Sequence, residues 1–370
     1  MQILITGGAG FIGSHLADDL IHRGHRVRVL DNLAPQVHGD GARRPTYLNE
    51  DIELLRGDVR HADDVRRAID GVDAVYHFAS AVGVGQSMYE IDHYTSTNNL
   101  GTAVLLQELV DHRRVERLIV ASSMSLYGEG LYRTVEGDLV PGSERSLEQL
   151  RGGAWEVLGE DGEPLVPIPT PESKPPSLSS VYALSKFDQE RLCLMIGRAY
   201  DMPTVALRFF NVFGTRQALS NPYTGVLAIF ASRLLNGNAP MIFEDGLQRR
   251  DFVSVHDVVQ ACRLALDAPR ASGHAFNVGS GRSYTVHEVA MMIGAVLGKR
   301  IEPEVCGKYR VGDIRHCFAD ITLARAVLGY APAVLLEDGL MELAEWLEGQ
   351  AADDRVDAAS RELAVRGLTV

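Results

Sequence analysis

Met1-Gln2-Ile3-Leu4-Ile5-Thr6-Gly7-Gly8-Ala9-Gly10-Phe11-Ile12-Gly13 is a short apolar run that breaks into spaced glycines and then opens a helical pattern. Gln2–Thr6 reads as a buried strand and Ile12–Arg23 as a helix, with Gly24 placed to end it. Gly7, Gly10 and Gly13 form G-x-x-G-x-x-G at the junction. A turn this tight requires a residue that tolerates positive φ, and close backbone approach to a pyrophosphate forbids a Cβ. The helix start then offers its unpaired N–H groups to phosphate oxygens. A second strand, Arg26–Asp31, ends on an acid 18 residues after Gly13. An acid there accepts hydrogen bonds from ribose hydroxyls and repels a 2′-phosphate, so NAD is expected rather than NADP.

Outward from this stretch the alternation continues. Ala74–Phe78 and Arg117–Ser122 read as strands, Tyr94–Asp111 and Val181–Tyr200 as helices, and Thr204–Arg208 as a further strand. Repeated strand–helix–strand units imply an α/β fold, a doubly wound parallel sheet of Rossmann type covered on both faces. Residues 1–207 are expected to form the NAD-binding domain and 208–350 mainly a smaller C-terminal substrate-binding lobe, with some segments returning to the sheet. Residues 351–370 read as a tail, a surface helix or partly disordered. Seven of the 15 prolines fall within 129–178 (Pro141, Pro164, Pro167, Pro169, Pro171, Pro175 and Pro176), so this stretch is expected to be an irregular insert with little regular structure.

Composition narrows the function. Hydrophobic residues make up 46% and charged residues 23%, ordinary values for a globular chain. No apolar run reaches the ~20 residues of a membrane span, and the N-terminus lacks the basic region of a secretory signal. A cytoplasmic protein is expected. A net charge of −13 argues against a nucleic-acid partner. Cys193, Cys262, Cys306 and Cys317 show no C-x-x-C spacing, and His256, His316, His22 and His25 have no partners at ligand spacing, so no metal site is expected.

Motifs spread over residues 1–345 carry a family resemblance. Thr6–Gly13, His77-Phe78-Ala79-Ser80, Gly57-Asp58-Val59 and Asn98-Asn99-Leu100-Gly101-Thr102 occur in that family's pattern, as do Ser122–Gly128, Tyr182-Ala183-Leu184-Ser185-Lys186, Arg208–Gly214 and Arg250-Asp251-Phe252-Val253. Together they resemble the extended short-chain dehydrogenase/reductases that act on nucleotide sugars. The runs Ser122–Arg133 and Arg216–Gly237 are most similar to the dTDP-L-rhamnose 4-epimerases, with the UDP-galactose 4-epimerases the wider comparison. The chain departs from the latter at Val82, where they carry a lysine.

The resemblance implies NAD held by Gly7, Gly10, Phe11, Ile12, Gly13, Asp31, Asn32, Asp58, Val59, Phe78, Ala79, Ser80, Asn98, Ser122, Tyr182 and Lys186. It implies a nucleotide sugar (dTDP- or UDP-linked) held by Val84, Ser123, Met124, Ser125, Tyr182, Asn211, Arg216, Arg250, Arg310 and Asp313, with Arg249 and Arg315 as nearby candidates. Ser123, Tyr182 and Lys186 are the expected catalytic residues. Tyr182 and Lys186 are four apart and share a helix face. A phenol titrates near ~10 in water, and an ammonium one turn away favours its phenolate, which could take a proton from a sugar hydroxyl. The expected activity is 4-epimerisation through a transient 4-keto sugar. A 4-ketoreductase using the same residues, or a non-catalytic NAD-sensing regulator, remains open. Related 4,6-dehydratases place an adjacent Asp–Glu pair where this chain has Met124 and Ser125, so dehydration is not expected. The family also implies a homodimer paired through the helices Tyr94–Asp111 and Val181–Tyr200.

Overall fold

A computed structural model describes residues 1–112, 115–223, 225–310, 312–350 and 353–369. Seven parallel strands form the central sheet: β1 (Gln2–Thr6), β2 (Arg26–Asp31), β3 (Glu53–Arg56), β4 (Ala74–His77), β5 (Arg117–Ser123), β6 (Thr204–Phe209) and β7 (Ala275–Val278). Their spatial order is β7-β6-β5-β4-β1-β2-β3. The order reverses between β1 and β4, and in such sheets ligands bind beyond the carboxyl ends of the strands at that reversal. Every residue of β1, β4, β5 and β6 is buried, as expected of strands covered on both faces. The fold is therefore the Rossmann-type α/β sheet. The edge strand β3 and the helix Ala62–Ile69 that follows it complete the first half.

Helix α1 (Phe11–His22) leaves the glycine turn without any side-chain cap and stops before Gly24, whose φ is +83°. The Tyr94–Asp111 stretch is not one regular helix. A short α-turn, Ile91–Tyr94, passes into a π segment, Thr95–Leu100, before α2 (Gly101–His112) begins. π turns re-aim side chains within helices, and this one carries Asn98. Helix α3 (Val181–Ala199) starts at Ser180, whose hydroxyl accepts from the Ala183 N–H at 3.1 Å.

Residues beyond 209 contribute β7 and the helices Val255–Asp267 and Thr322–Leu328 to the core of the sheet, and others build a lobe of short strands and helices. Its core gathers Phe213, Phe230, Leu234, Ile293, Leu340 and Leu343. Arg249–Arg250 lies between Tyr284–Thr285 and His316–Cys317 in a three-stranded sheet.

The 129–178 insert is more regular than its prolines suggest. Leu131–Arg133 pairs antiparallel with both Leu139–Pro141 and Val166–Ile168, and a one-turn helix spans Leu147–Arg151. Pro141 and Pro167 fall on the two outer strands, where a missing N–H breaks no ladder on the open side. Only Tyr132, Val157 and Leu165 form its buried core. Charge docks it instead. Arg315 is fully buried, and its guanidinium meets Glu156 at 2.5 Å, Asp245 at 2.6 Å and Glu244 at 2.9 Å. Arg145 of the insert reaches Glu244 at 2.8 Å. Arg315 is thus committed to the interior and corrects the expectation that placed it near a substrate phosphate.

Of the tail, Val356–Val365 is helical, with Ala359 and Leu363 buried. Leu363 approaches Gly85, and the Arg366 guanidinium lies 4.4 Å from the centre of the Tyr89 ring. No helix of the described residues is long and apolar enough to cross a membrane.

Candidate active site

The glycine turn lies against the end of β4. Gly7 has φ +68°, and a Cβ there would come within 2.8 Å of the Ala79 backbone. Gly13 would meet Gly8 at 2.6 Å. Gly8, which the motif reading leaves out, is equally constrained, because a Cβ would strike Val29 at 2.6 Å and the Ile5 carbonyl at 2.9 Å. Gly10 alone is open on its side, with only the Gly7 carbonyl at 3.3 Å. The uncapped start of α1 and the open face of Gly10 make a cradle for a pyrophosphate, so the residues present fit a dinucleotide.

Asp31 ends β2, and its carboxylate accepts from the Ala9 N–H at 3.0 Å and the Leu33 N–H at 2.9 Å. It thereby braces the glycine turn. Burial pushes its carboxyl above the usual range, opposed by the Leu33 N–H and by His38, 3.8 Å away. A carboxylate has about four acceptor sites, so capacity remains for ribose hydroxyls. Burial would raise the Asp58 carboxyl, but hydrogen bonds from Arg60 and Asn32 outweigh it and hold it at about 2. Val59 packs beneath Gly101. The N–H groups of Phe78 and Ala79 both donate to the Thr6 hydroxyl at 3.2 Å, which fixes the loop that carries Ser80.

Two expected cofactor contacts have full-time structural partners. Asn98 accepts from Ser80 (3.1 Å) and the Ala81 N–H (2.8 Å), and donates to the Ala81 carbonyl (3.1 Å) and Ser185 (2.9 Å). All four hydrogen bonds of its amide tie the loop after β4 to the helix bearing Tyr182. Ser122 donates to Glu190 at 2.6 Å, within a buried pair that Glu190 makes with Arg208.

Ser123, at the end of β5, faces Tyr182 closely enough to ease its phenol downward. The Tyr182 N–H donates to Ser87 at 3.0 Å, from the short helix Val84–Ser87. Tyr94 meets the Tyr182 ring edge-on at 6.3 Å. The expectation that Lys186 lowers the Tyr182 phenol meets opposition. Burial pushes Tyr182 up to about 12, eased by Ser123, and pulls Lys186 down to about 7. In the protein alone, desolvation is the largest influence on both groups.

On the substrate side, Met124 and Ser125 are buried behind Ser123, and the Ser125 hydroxyl and the Asn211 side-chain oxygen have no protein partner. Arg310 donates to Asp313 at 2.9 Å and lies 4.7 Å from the Phe243 ring centre. Burial would raise Asp313, but Arg310 and Arg250 bring its carboxyl below the usual range. Arg250 donates to the carbonyls of Ile314 and Arg315. Arg250, Arg310 and Asp313 thus lie close to one another. Arg216 is not with them. Its guanidinium is 2.8 Å from Asp18 on α1 and covers the ring of Tyr47, whose hydroxyl donates to the Ala9 carbonyl. The structure corrects its placement to the glycine-turn side. Arg249 faces Ser283 at 3.1 Å. His316 is buried against Glu156 at 3.0 Å, and among the described residues no His, Cys, Asp and Glu cluster could hold a metal.

This glycine-turn sheet, with a Ser–Tyr–Lys set between the end of β5 and α3, defines a dinucleotide-dependent enzyme of the short-chain type. The chain belongs to the NAD dependent epimerase/dehydratase family, whose profile matches residues 3–279, and NAD is its cofactor. It is 35% identical over 350 residues to a dTDP-L-rhamnose 4-epimerase of Burkholderia thailandensis, covering 94% of each chain. Among solved structures it is similar to the UDP-glucose 4-epimerase of Thermotoga maritima with UDP-glucose (TM-score 0.77, 31% identity, covering 94% of this chain and 99% of that one). It is also similar to the UDP-glucose 4-epimerase of Thermus thermophilus in complex with NAD (TM-score 0.75, 31% identity, covering 95% and 100%).

Proposed function

We propose that this chain interconverts the C4 epimers of a dTDP- or UDP-linked hexose through a transient 4-keto sugar. The observation that carries the reading is the Ser123–Tyr182–Lys186 set, buried between the end of β5 and helix α3, one strand from the reversal of the sheet. Bound NAD supplies the acceptor and donor of hydride at the sugar C4, and a positive ring that favours the Tyr182 phenolate. Ser123 orients the C4 hydroxyl, and Tyr182 takes its proton and later returns it. Lys186 supplies positive charge to the same face of α3. The unpartnered Ser125 hydroxyl and Asn211 oxygen are ready to meet a polar ligand. Arg250 and Arg310 offer guanidinium forks to the diphosphate, a geometry suited to two oxygens at once. Met124 and Ser125 cannot exchange a proton with carbon at neutral pH, so the keto sugar persists until it is reduced.

The test is to incubate the purified protein with dTDP- and UDP-linked hexoses, without added reductant, and read products by NMR. Appearance of the C4 epimer supports the reading. A stable 4-keto-6-deoxy sugar from dTDP-glucose would overturn it, and no interconversion of the hexoses together with NADH-dependent reduction of a 4-keto sugar nucleotide would make the enzyme a ketoreductase.

A homodimer is part of the proposal. Leu100, Leu184 and Met195, on the π segment and α3, are 51%, 47% and 59% exposed, an apolar surface that a second copy would cover. Light scattering at micromolar concentration should give twice the chain mass, and Met195→Asp should shift it toward the monomer.

A further inference from the structure

Lys186 is 3% exposed, and an ammonium so far from water needs an acceptor. Among the described residues no carboxylate pairs with it. The nearest acid on its helix, Glu190, is committed to Arg208 at 2.6 and 2.9 Å and to Ser122 at 2.6 Å. The acceptor is the side-chain carbonyl of Gln189, 2.7 Å from the ammonium and itself fully buried.

The orientation of that amide follows from its other neighbours. Thr102 donates its hydroxyl proton to the Asn98 carbonyl at 2.6 Å, so its oxygen can only accept elsewhere. The Gln189 NH₂ lies 2.8 Å from that oxygen and donates to it. The amide carbonyl must therefore face Lys186, a flip that side-chain geometry alone would leave open. The second lone pair of Thr102 takes a proton from His77 Nε2 at 2.9 Å. His77 Nδ1 then accepts from the Thr6 hydroxyl at 2.8 Å. A protonated His77 would have two donors facing Thr6 and Thr102, and burial together with Lys186 pulls it down to about 3, so it is neutral.

The charges around Lys186 can then be counted. Its own helix presents Glu190 and Cys193, with Tyr182 one turn earlier in the chain; β4 presents neutral His77, and β6 presents Arg208 behind Glu190. From β5 come Ser122 and Ser123, and from the π segment and α2 come Asn98 and Thr102, none of them charged. Glu190 and Arg208 cancel, so whatever charge Lys186 carries is the net charge of the cluster.

We propose that Gln189 is a positioning residue for Tyr182 chemistry: its neutral carbonyl fixes the Lys186 ammonium without cancelling the charge that Tyr182 feels. A carboxylate at this place would orient the lysine equally well but neutralise it. An apolar side chain would leave a buried ammonium with no acceptor, and that group sheds its proton instead. The inference rests on the epimerase reading for its consequence, and on the hydrogen-bond chain for its geometry.

The experiment compares NAD-loaded wild-type protein with Gln189→Leu and Gln189→Met; the unbranched Met side chain fits the buried volume should Leu prevent folding. Tyrosinate absorbance is titrated with pH, and Tyr182→Phe identifies the contribution of Tyr182. Where substrate is turned over, kcat and KM are followed across the same range. Expected is an alkaline displacement of the Tyr182 midpoint and of the rising limb of kcat by about one pH unit, roughly 10-fold in kcat at neutral pH. The loss recovers at high pH, and KM changes little. A folded, NAD-loaded Gln189→Met protein whose Tyr182 midpoint and rising limb match wild type overturns the inference, whatever its rate. If the wild-type protein epimerises no sugar nucleotide, the functional proposal fails, but the tyrosinate titration needs no substrate and still decides the role of Gln189.

Discussion

The Ser122 hydroxyl donates to Glu190 across 2.6 Å, while Ser123, the next residue on β5, turns to Tyr182. Glu190 and Tyr182 lie eight residues apart on α3, so two adjacent serines meet different turns of the same helix. Ser122 holds the buried Glu190–Arg208 pair, and on the proposed mechanism Ser123 meets the reacting hydroxyl. Ser122→Ala should lower stability by about 1–3 kcal/mol, the range for a buried hydrogen bond to a charged group, and leave kcat within a few-fold. Ser123→Ala should do the reverse. Thermal melts and steady-state rates on both variants separate the two; equal effects on rate would refute the division.

Replacing Tyr182 with Phe keeps the ring against Tyr94 and removes the proton acceptor. Turnover should fall ~10²-fold or more, with nucleotide-sugar binding largely kept. Because burial holds the phenol high, the wild-type rate should rise with pH as the phenolate forms. Near-normal turnover in the variant would show that another group takes the proton.

Asp31 braces the glycine turn through the Ala9 and Leu33 N–H groups and presents its carboxylate where a ribose would lie. Purified protein should carry NAD(H), released on denaturation, and Asp31→Ala should lose it. Cofactor content measured after denaturation checks both. Retention of NADP in preference to NAD would contradict the role given to Asp31.

Glu156 docks the insert through Arg315 and His316. The His316 hydrogen bond, with Arg315, outweighs burial and holds its carboxyl at about 2, below the usual 4.5. A depressed acid contributes stability that is complete above its unfolded value and lost as pH falls through the folded one. The wild-type melting temperature should therefore decline between about pH 4.5 and 2, partly through Glu156. The side chain is 40% exposed, so solvent screening keeps its share modest. Glu156→Gln should flatten that decline in melting curves taken across the range. An unchanged acid profile would show that the insert is held by its other contacts.

The sequence by itself determined the sheet and the motif that opens it. G-x-x-G-x-x-G, the apolar strands and the four-residue spacing of Tyr182 and Lys186 are local patterns, and local periodicity decides which backbone forms and which side chains share a face. The tertiary structure decided which charges are free to act. Arg315, Arg250 and Arg216 look alike in the chain, yet one is buried among acids, one is held beside Asp313, and one sits over Tyr47 on the cofactor side. Gln189 carries no motif at all, and its part depends on Thr102, His77 and Thr6, brought from three other segments. Such contacts join residues 25 to 186 positions apart, and no spacing along the chain encodes them. The proline-rich insert shows the same division. Its prolines foretold the interruptions, but the pairing of its strands and the ion pairs that dock it came only when distant acids and arginines met in the interior, where low dielectric makes each charge depend on its partner.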